Sequence, residues 1–180
     1  MHRLQAINSF YDIPLEHRNT PIGLLIEYHN LDKPYDQYEK AELLVGMCMD
    51  NRKHLHIPDN FSFIIRAGGA NLQYSEFKVS YAIAVGQVRH MVLIAHNHCG
   101  MVNLIDRKNE FIDGLVENAG WEREKAVEHF MKYAPYFEIG NELDFIVSEA
   151  KRLRKIYPKV TIVPMYYLVE DNKLYLINDV

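Results

Sequence analysis

The stretch Leu43-Leu44-Val45-Gly46-Met47-Cys48-Met49-Asp50-Asn51-Arg52 passes from an unbroken apolar run into a polar loop. A run without polar positions cannot alternate between a buried and a wetted face, so it suits a strand covered on both sides, as in a parallel sheet. Phe61-Ser62-Phe63-Ile64-Ile65 is a second apolar run, ending at Arg66-Ala67-Gly68-Gly69-Ala70, where paired glycines mark a tight turn or a close backbone approach. Between positions 75 and 85, Phe77, Tyr81, Ala84 and Val85 fall at helical spacing. Met91-Val92-Leu93-Ile94-Ala95 then reads as a third strand that runs directly into His96. Strand, loop, strand, helix, strand is the order of parallel α/β architecture.

Further along, positions 107 to 157 are helical in spacing. Phe111, Leu115 and Val116 form one stripe, and Phe145, Ile146, Ala150, Leu153 and Ile156 another. Trp121 and Phe130 fall on a helix between them that ends near Pro135, and core packing is the expected role of all these apolar residues. Val160 to Val163 reads as a fourth parallel strand, and Tyr166–Val169 with Leu174–Ile177 frames Glu170-Asp171-Asn172-Lys173 as a hairpin turn. In the other direction, Pro14, Pro21 and Pro34 interrupt short apolar pieces, giving an N-terminal arm with one or two short helices. The expectation is a single domain, 1–180, with an arm at 1–40 and an α/β core at 41–180. The core is a mostly parallel four-stranded sheet flanked by helices, with a C-terminal hairpin or edge strand.

Bulk properties narrow the function. A chain of 180 residues fits one hydrophobic core, and 48% hydrophobic with 24% charged residues is a globular composition. With 24 acidic against 20 basic residues, the net charge of -4 and the lack of a basic stripe argue against nucleic acid as a partner. The basic run Lys151-Arg152-Leu153-Arg154-Lys155 suits the last turns of a helix, where cations complement the dipole. No signal-peptide pattern opens the chain, and no apolar run approaches the roughly 18 residues of a membrane span, so no membrane association and a cytoplasmic location are expected. Two cysteines in a chain of this length are no disulfide framework.

Their neighbours suggest a metal site instead. Cys48 closes the first strand and His96 the third, with Cys99 three residues beyond His96. Ligands of open parallel sheets collect beyond the carboxyl ends of the strands, so the three can converge there. Two thiolates and an imidazole suit Zn2+, and three protein ligands leave the fourth tetrahedral position for water or substrate. Asp50 and Arg52 alternate along extended chain and can form an ion pair beside the metal. A redox pair of Cys48 and Cys99 is the rival reading, and it would leave His96, Asp50 and Arg52 without a role.

Cys48-x-Asp50-x-Arg52 followed by His96-x-x-Cys99-Gly100 resembles the motif pair of the β-class carbonic anhydrases, and Phe63-Ile64-Ile65-Arg66-Ala67-Gly68-Gly69-Ala70 stands where that family has an Ile-Arg-Asn-Ala-Gly-type segment. Ser80-Tyr81-Ala82 resembles the helix that follows. The resemblance is strong from about Leu44 to Val102. It implies one zinc per subunit held by Cys48, His96 and Cys99, and a homodimer or homotetramer with sites near the subunit interface. It implies reversible hydration of carbon dioxide to bicarbonate by hydroxide generated at the zinc, with Asp50 orienting that nucleophile and Arg52 holding Asp50 off the metal. Released by Arg52, Asp50 would become a fourth ligand and close the site. His54, His56 and His98 are candidates for exporting the proton. Three positions depart from the family's usual residues: Asn51, Ala67 and His98. Relatives of this fold hydrolyse carbonyl sulfide or carbon disulfide, and a non-catalytic zinc-binding protein with Asp50 permanently on the metal is a third possibility.

Overall fold

The computed structural model describes residues 3–178. Its sheet has six strands, β1 (Leu4–Gln5), β2 (Leu43–Met47), β3 (Ser62–Arg66), β4 (His90–His96), β5 (Thr161–Leu168) and β6 (Lys173–Ile177), in the order β1-β6-β5-β4-β2-β3. Neighbours among β3, β2, β4 and β5 are parallel, as expected, while β6 and β1 add antiparallel pairs at one edge. Five helices accompany it: α1 (Pro21–Asn30), α2 (Glu76–Ala84), α3 (Lys108–Ala119), α4 (Arg123–Phe137) and α5 (Glu142–Ile156).

The apolar runs do what two-sided burial requires. In β2, Leu43, Val45 and Met47 enter a core with α1, while Leu44 enters the core on the opposite face with α2 and α5. In β4, Val92 and Ile94 go with the first face, and Met91, Leu93 and Ala95 with the second. A Cβ added at Gly46 would come within 2.8 Å of both Leu72 and Leu93, so the missing side chain lets the second layer close onto the sheet.

Several local expectations need correction. The segments read as a fourth strand and the first hairpin strand are one continuous strand, β5. Pro164 lies inside it, one residue before the first pair with β6, where its missing N–H removes no bond on that side. Residues 3–40 pack onto the sheet. β1 pairs with β6, and α1, capped by the Thr20 hydroxyl with Pro21 in its first turn, buries Ile22, Leu25 and Ile26.

The stripe that suggested α2 faces outward. Phe77, Tyr81 and Val85 are 83%, 52% and 61% exposed, and Val79 and Ala82 are the residues that α2 buries. Periodicity detects the helix but not which of two apolar faces meets the sheet. α3 likewise buries Ile112 rather than Phe111, Leu115 or Val116. Trp121 lies between α3 and α4, and α4 carries Pro135 inside its last turns instead of stopping there. Of the basic run on α5, Arg152 pairs with Glu149 and Glu76, and Arg154 donates to the Ile162 carbonyl, so these cations serve the fold.

Candidate metal centre

Parallel pairing sets the site. Met47 lies opposite Ile94, so Cys48 and His96 leave adjacent strands at the same, carboxyl, end of the sheet. After His96 the chain turns through Asn97 and His98, the latter at a left-handed φ of 54°, and presents Cys99. A residue other than glycine pays for that conformation, and here it turns the second sulfur back toward the first. The ligand atoms of Cys48, His96 and Cys99 all lie within 4.8 Å of one another, and the three residues are 4%, 1% and 6% exposed. They form the one such group of His, Cys, Asp or Glu among the described residues.

The donor chemistry fits a metal ion. His96 Nδ1 lies 2.8 Å from the Asn97 carbonyl, which fixes the proton on Nδ1 and leaves the Nε2 lone pair directed at the sulfurs. Nε2 is buried without a hydrogen-bond partner, an arrangement a cation would satisfy. The sulfurs are 3.9 Å apart and both cysteines are free. Of the two, Cys48 is driven toward thiolate against the cost of burial, first by the hydrogen bond with Cys99, then by the neighbouring His96 and the backbone N–H groups of Asp50 and Gly69, while the same pairing holds Cys99 protonated.

The surrounding chain is built to hold these atoms. Gly69 has φ 61°, and a Cβ at Gly68 would lie 2.9 Å from the Met101 sulfur, so the paired glycines let the turn after β3 press against the Cys99 segment. Arg66, at the end of β3, donates to the Cys48 carbonyl at 3.2 Å and the Lys53 carbonyl at 3.2 Å, tying the loop after β2 down. Glu142, in the first turn of α5, accepts the Cys99 N–H at 3.2 Å. Arg66 fell within the family-like segment without its contacts being legible, and Glu142 had no sequence signal, because each acts through backbone groups far away in the chain.

Asp50 and Arg52 meet as an ion pair. Arg52 donates through Nε to Oδ1 at 3.0 Å, through a terminal nitrogen to Oδ2 at 2.6 Å, and through its backbone N–H to Oδ1 at 2.9 Å. It also donates to the His98 carbonyl at 2.9 Å, linking the two motifs. Arg52 holds the Asp50 carboxyl well below the usual carboxylate range, so it is ionised at any ordinary pH. Oδ2 of Asp50 lies 4.0 Å from His96 Nε2, at the edge of the cluster.

None of the three departures is one of the three ligand residues. Asn51 is exposed, Ala67 donates its N–H to the Met47 carbonyl at 3.0 Å, and the exposed His98 ring faces Glu170 at 3.3 Å rather than the sulfurs. His54 and His56 are on the surface. Beside the cluster, a cavity of about 280 Å³ is walled by Met49, Gly68, Met101, Phe111, Tyr133 and Phe137 among others. It adjoins the segments that carry both cysteines, and its lining is overwhelmingly apolar.

No protein-family model matches the sequence, and neither does any curated protein. Solved structures do match. A carbonic anhydrase from Glaciozyma antarctica is 20% identical with a TM-score of 0.61, over 76% of this chain and 83% of its own. β-Carbonic anhydrase isoform I from Trichomonas vaginalis is 15% identical with a TM-score of 0.64, over 82% of this chain and 90% of its own. This is the β-carbonic anhydrase fold. A carbon disulfide hydrolase shares it, at 18% identity and a TM-score of 0.57, over 78% of this chain and 80% of that one. Within that fold, the cluster of Cys48, His96 and Cys99 could hold a metal ion.

Cys48→Ser, His96→Ala and Cys99→Ser should each weaken zinc binding in a chelator competition by more than the 10- to 100-fold typical of losing a mere outer-shell partner. Retention of wild-type affinity by any one variant would remove that residue from the ligand set.

Proposed function

We propose that the protein is a zinc enzyme that reversibly hydrates carbon dioxide to bicarbonate. The observation that carries this reading is the convergence of two sulfurs and a partnerless buried imidazole nitrogen, with an ionised carboxylate 4.0 Å from that nitrogen. Cys48, His96 and Cys99 are the residues that would hold the zinc. When bound, zinc in such a site lowers the pKa of water from 15.7 to about 7 and so supplies a nucleophile at neutral pH.

The protein's own groups do the rest. Asp50, ionised and with Oδ2 turned toward His96, accepts a hydrogen bond from the attacking water and fixes its direction. Arg52 holds the carboxylate in that orientation through both oxygens, which favours a site left open over one closed by Asp50. The apolar cavity beside Met49 and Met101 suits a small linear substrate without hydrogen-bonding needs, and its walls exclude competing polar solutes. His54, His56 and His98, exposed around the motifs, are placed to pass the released proton to buffer.

The same cavity and the likeness to a carbon disulfide hydrolase favour a second reading, hydrolysis of carbonyl sulfide or carbon disulfide, in which the electrophilic carbon changes and the residue roles do not. Two free cysteines fit a reducing, cytoplasmic setting. No helix among the described residues is long and apolar enough to cross a membrane. The outward apolar surface of α2 and the open edge of β3, with Phe63, Ile64, Phe77, Tyr81 and Val85, favours a homodimer or a homotetramer built from it.

Stopped-flow assays with carbon dioxide, carbonyl sulfide and carbon disulfide should show carbon dioxide as the preferred substrate. Asp50→Ala should keep its zinc and lose at least about 100-fold in rate, the lower range for a positioned proton acceptor. A zinc-loaded wild-type protein inert toward all three would refute the enzymatic reading, and full activity in Asp50→Ala would remove Asp50 from it. In sedimentation at micromolar concentration, the wild type should run as a dimer or larger and Phe77→Glu as a smaller species. A monomeric wild type would contradict the assembly.

A further inference from the structure

Lys53 follows the Cys48-x-Asp50-x-Arg52 motif directly, and its side chain is 0% exposed. A buried ammonium is costly unless it is paired, by several kcal/mol on the order of the desolvation penalty for one ion. Its surroundings explain how it is tolerated. Nζ donates to the Asp50 carbonyl at 3.3 Å and lies 3.7 Å from Asp50 Oδ1. Burial works against its charge, and the negative groups at Cys48 and Asp50 favour it.

The Asp50 carboxylate is therefore held by two cations of different kinds. Arg52 is 43% exposed, and its charge is screened by solvent. Lys53 is wholly enclosed, so its pull on Oδ1 is far less screened. The contacts are also uneven between the two oxygens. Oδ1 accepts from the Arg52 Nε and the Arg52 N–H and has the Lys53 ammonium beside it, whereas Oδ2 accepts only from the Arg52 side chain, through Nε at 3.2 Å and a terminal nitrogen at 2.6 Å, and faces His96 Nε2 at 4.0 Å.

We propose that Lys53 is a positioning residue: its buried ammonium, together with Arg52, keeps Asp50 drawn back on Oδ1 and stops the carboxylate from taking the fourth position on the metal. The inference rests on the metal-centre reading above. In its terms, the open state of the site has an internal counter-charge and does not depend on the solvent-exposed Arg52 alone. Loss of the ammonium leaves the carboxylate with one screened partner and the metal as the stronger competitor.

The test uses the cobalt-substituted protein and two neutral replacements. Lys53→Met keeps the length and volume of the side chain in an enclosed slot, and Lys53→Gln repeats the measurement with a polar group. Thermal melting accompanies both to establish folding. Wild-type protein should take up cobalt and bind thiocyanate with a change in its visible spectrum. Both variants should take up cobalt in the same ratio, show the spectrum of a site coordinated by Asp50, and bind thiocyanate at least 10-fold more weakly. In an Asp50→Asn background the Lys53 substitutions should have no effect, because the carboxylate that they release is absent. Unchanged spectra and thiocyanate affinity in folded, cobalt-loaded variants would overturn this inference alone. So would an equal loss of affinity in the Asp50→Asn background, which would make Lys53 a simple electrostatic attractor of anions. Failure of wild-type protein to bind cobalt would overturn the metal-centre reading and this inference with it.

Discussion

The parallel pairing of β2 with β4 is the constraint from which the site follows. Because Met47 stands opposite Ile94, Cys48 and His96 emerge side by side at one sheet edge although nearly fifty positions of chain separate them. A change of register by one residue would move every side chain of the strand to the other face, sending Leu43, Val45 and Met47 out of the core they share with α1. The two-sided core therefore fixes the position of the ligands. Stability and chemistry are linked through the same strands, and the cluster needs only the short turn through His98 to add its second sulfur.

Around that edge, the chain spends backbone contacts on rigidity. Arg66 ties the Cys48 and Lys53 carbonyls together, Arg52 joins Asp50 to the His98 carbonyl, and Glu142 takes the Cys99 N–H. These bonds connect the β3 end, the loop after β2, the loop after β4 and the start of α5. A site assembled from four segments would otherwise lose its geometry to loop motion, since metal centres depend on partners beyond their direct ligands. The apolar cavity next to it lies between this rigid edge and α3 and α4, which bury few residues and leave much of their aromatic surface exposed.

Much of this was legible in the sequence, for identifiable reasons. Unbroken apolar runs at Leu43 and Met91 announced buried parallel strands, the apolar run at Phe61 became the parallel edge strand β3 with Phe63 and Ile64 exposed, and the residues that end the two buried runs carried the chemistry. Short-range spacing did not reveal β1, because two residues pairing with a strand at the other end of the chain leave no pattern. The orientation of α2 was hidden because both of its faces are apolar, one toward the sheet and one toward solvent. Lys53 was hidden for another reason. Lysine is among the residues least often fully buried, and only the fold shows that it is enclosed with its ammonium against Asp50.

The central claim is that Cys48, Cys99 and His96 share one zinc ion. X-ray absorption at the zinc edge of freshly purified, reduced protein tests it most directly. Two sulfur neighbours near 2.3 Å, one imidazole nitrogen near 2.0 Å and one further light atom, at about one zinc per chain, is the expected result. A shell without sulfur, or protein that takes up no zinc, would contradict it.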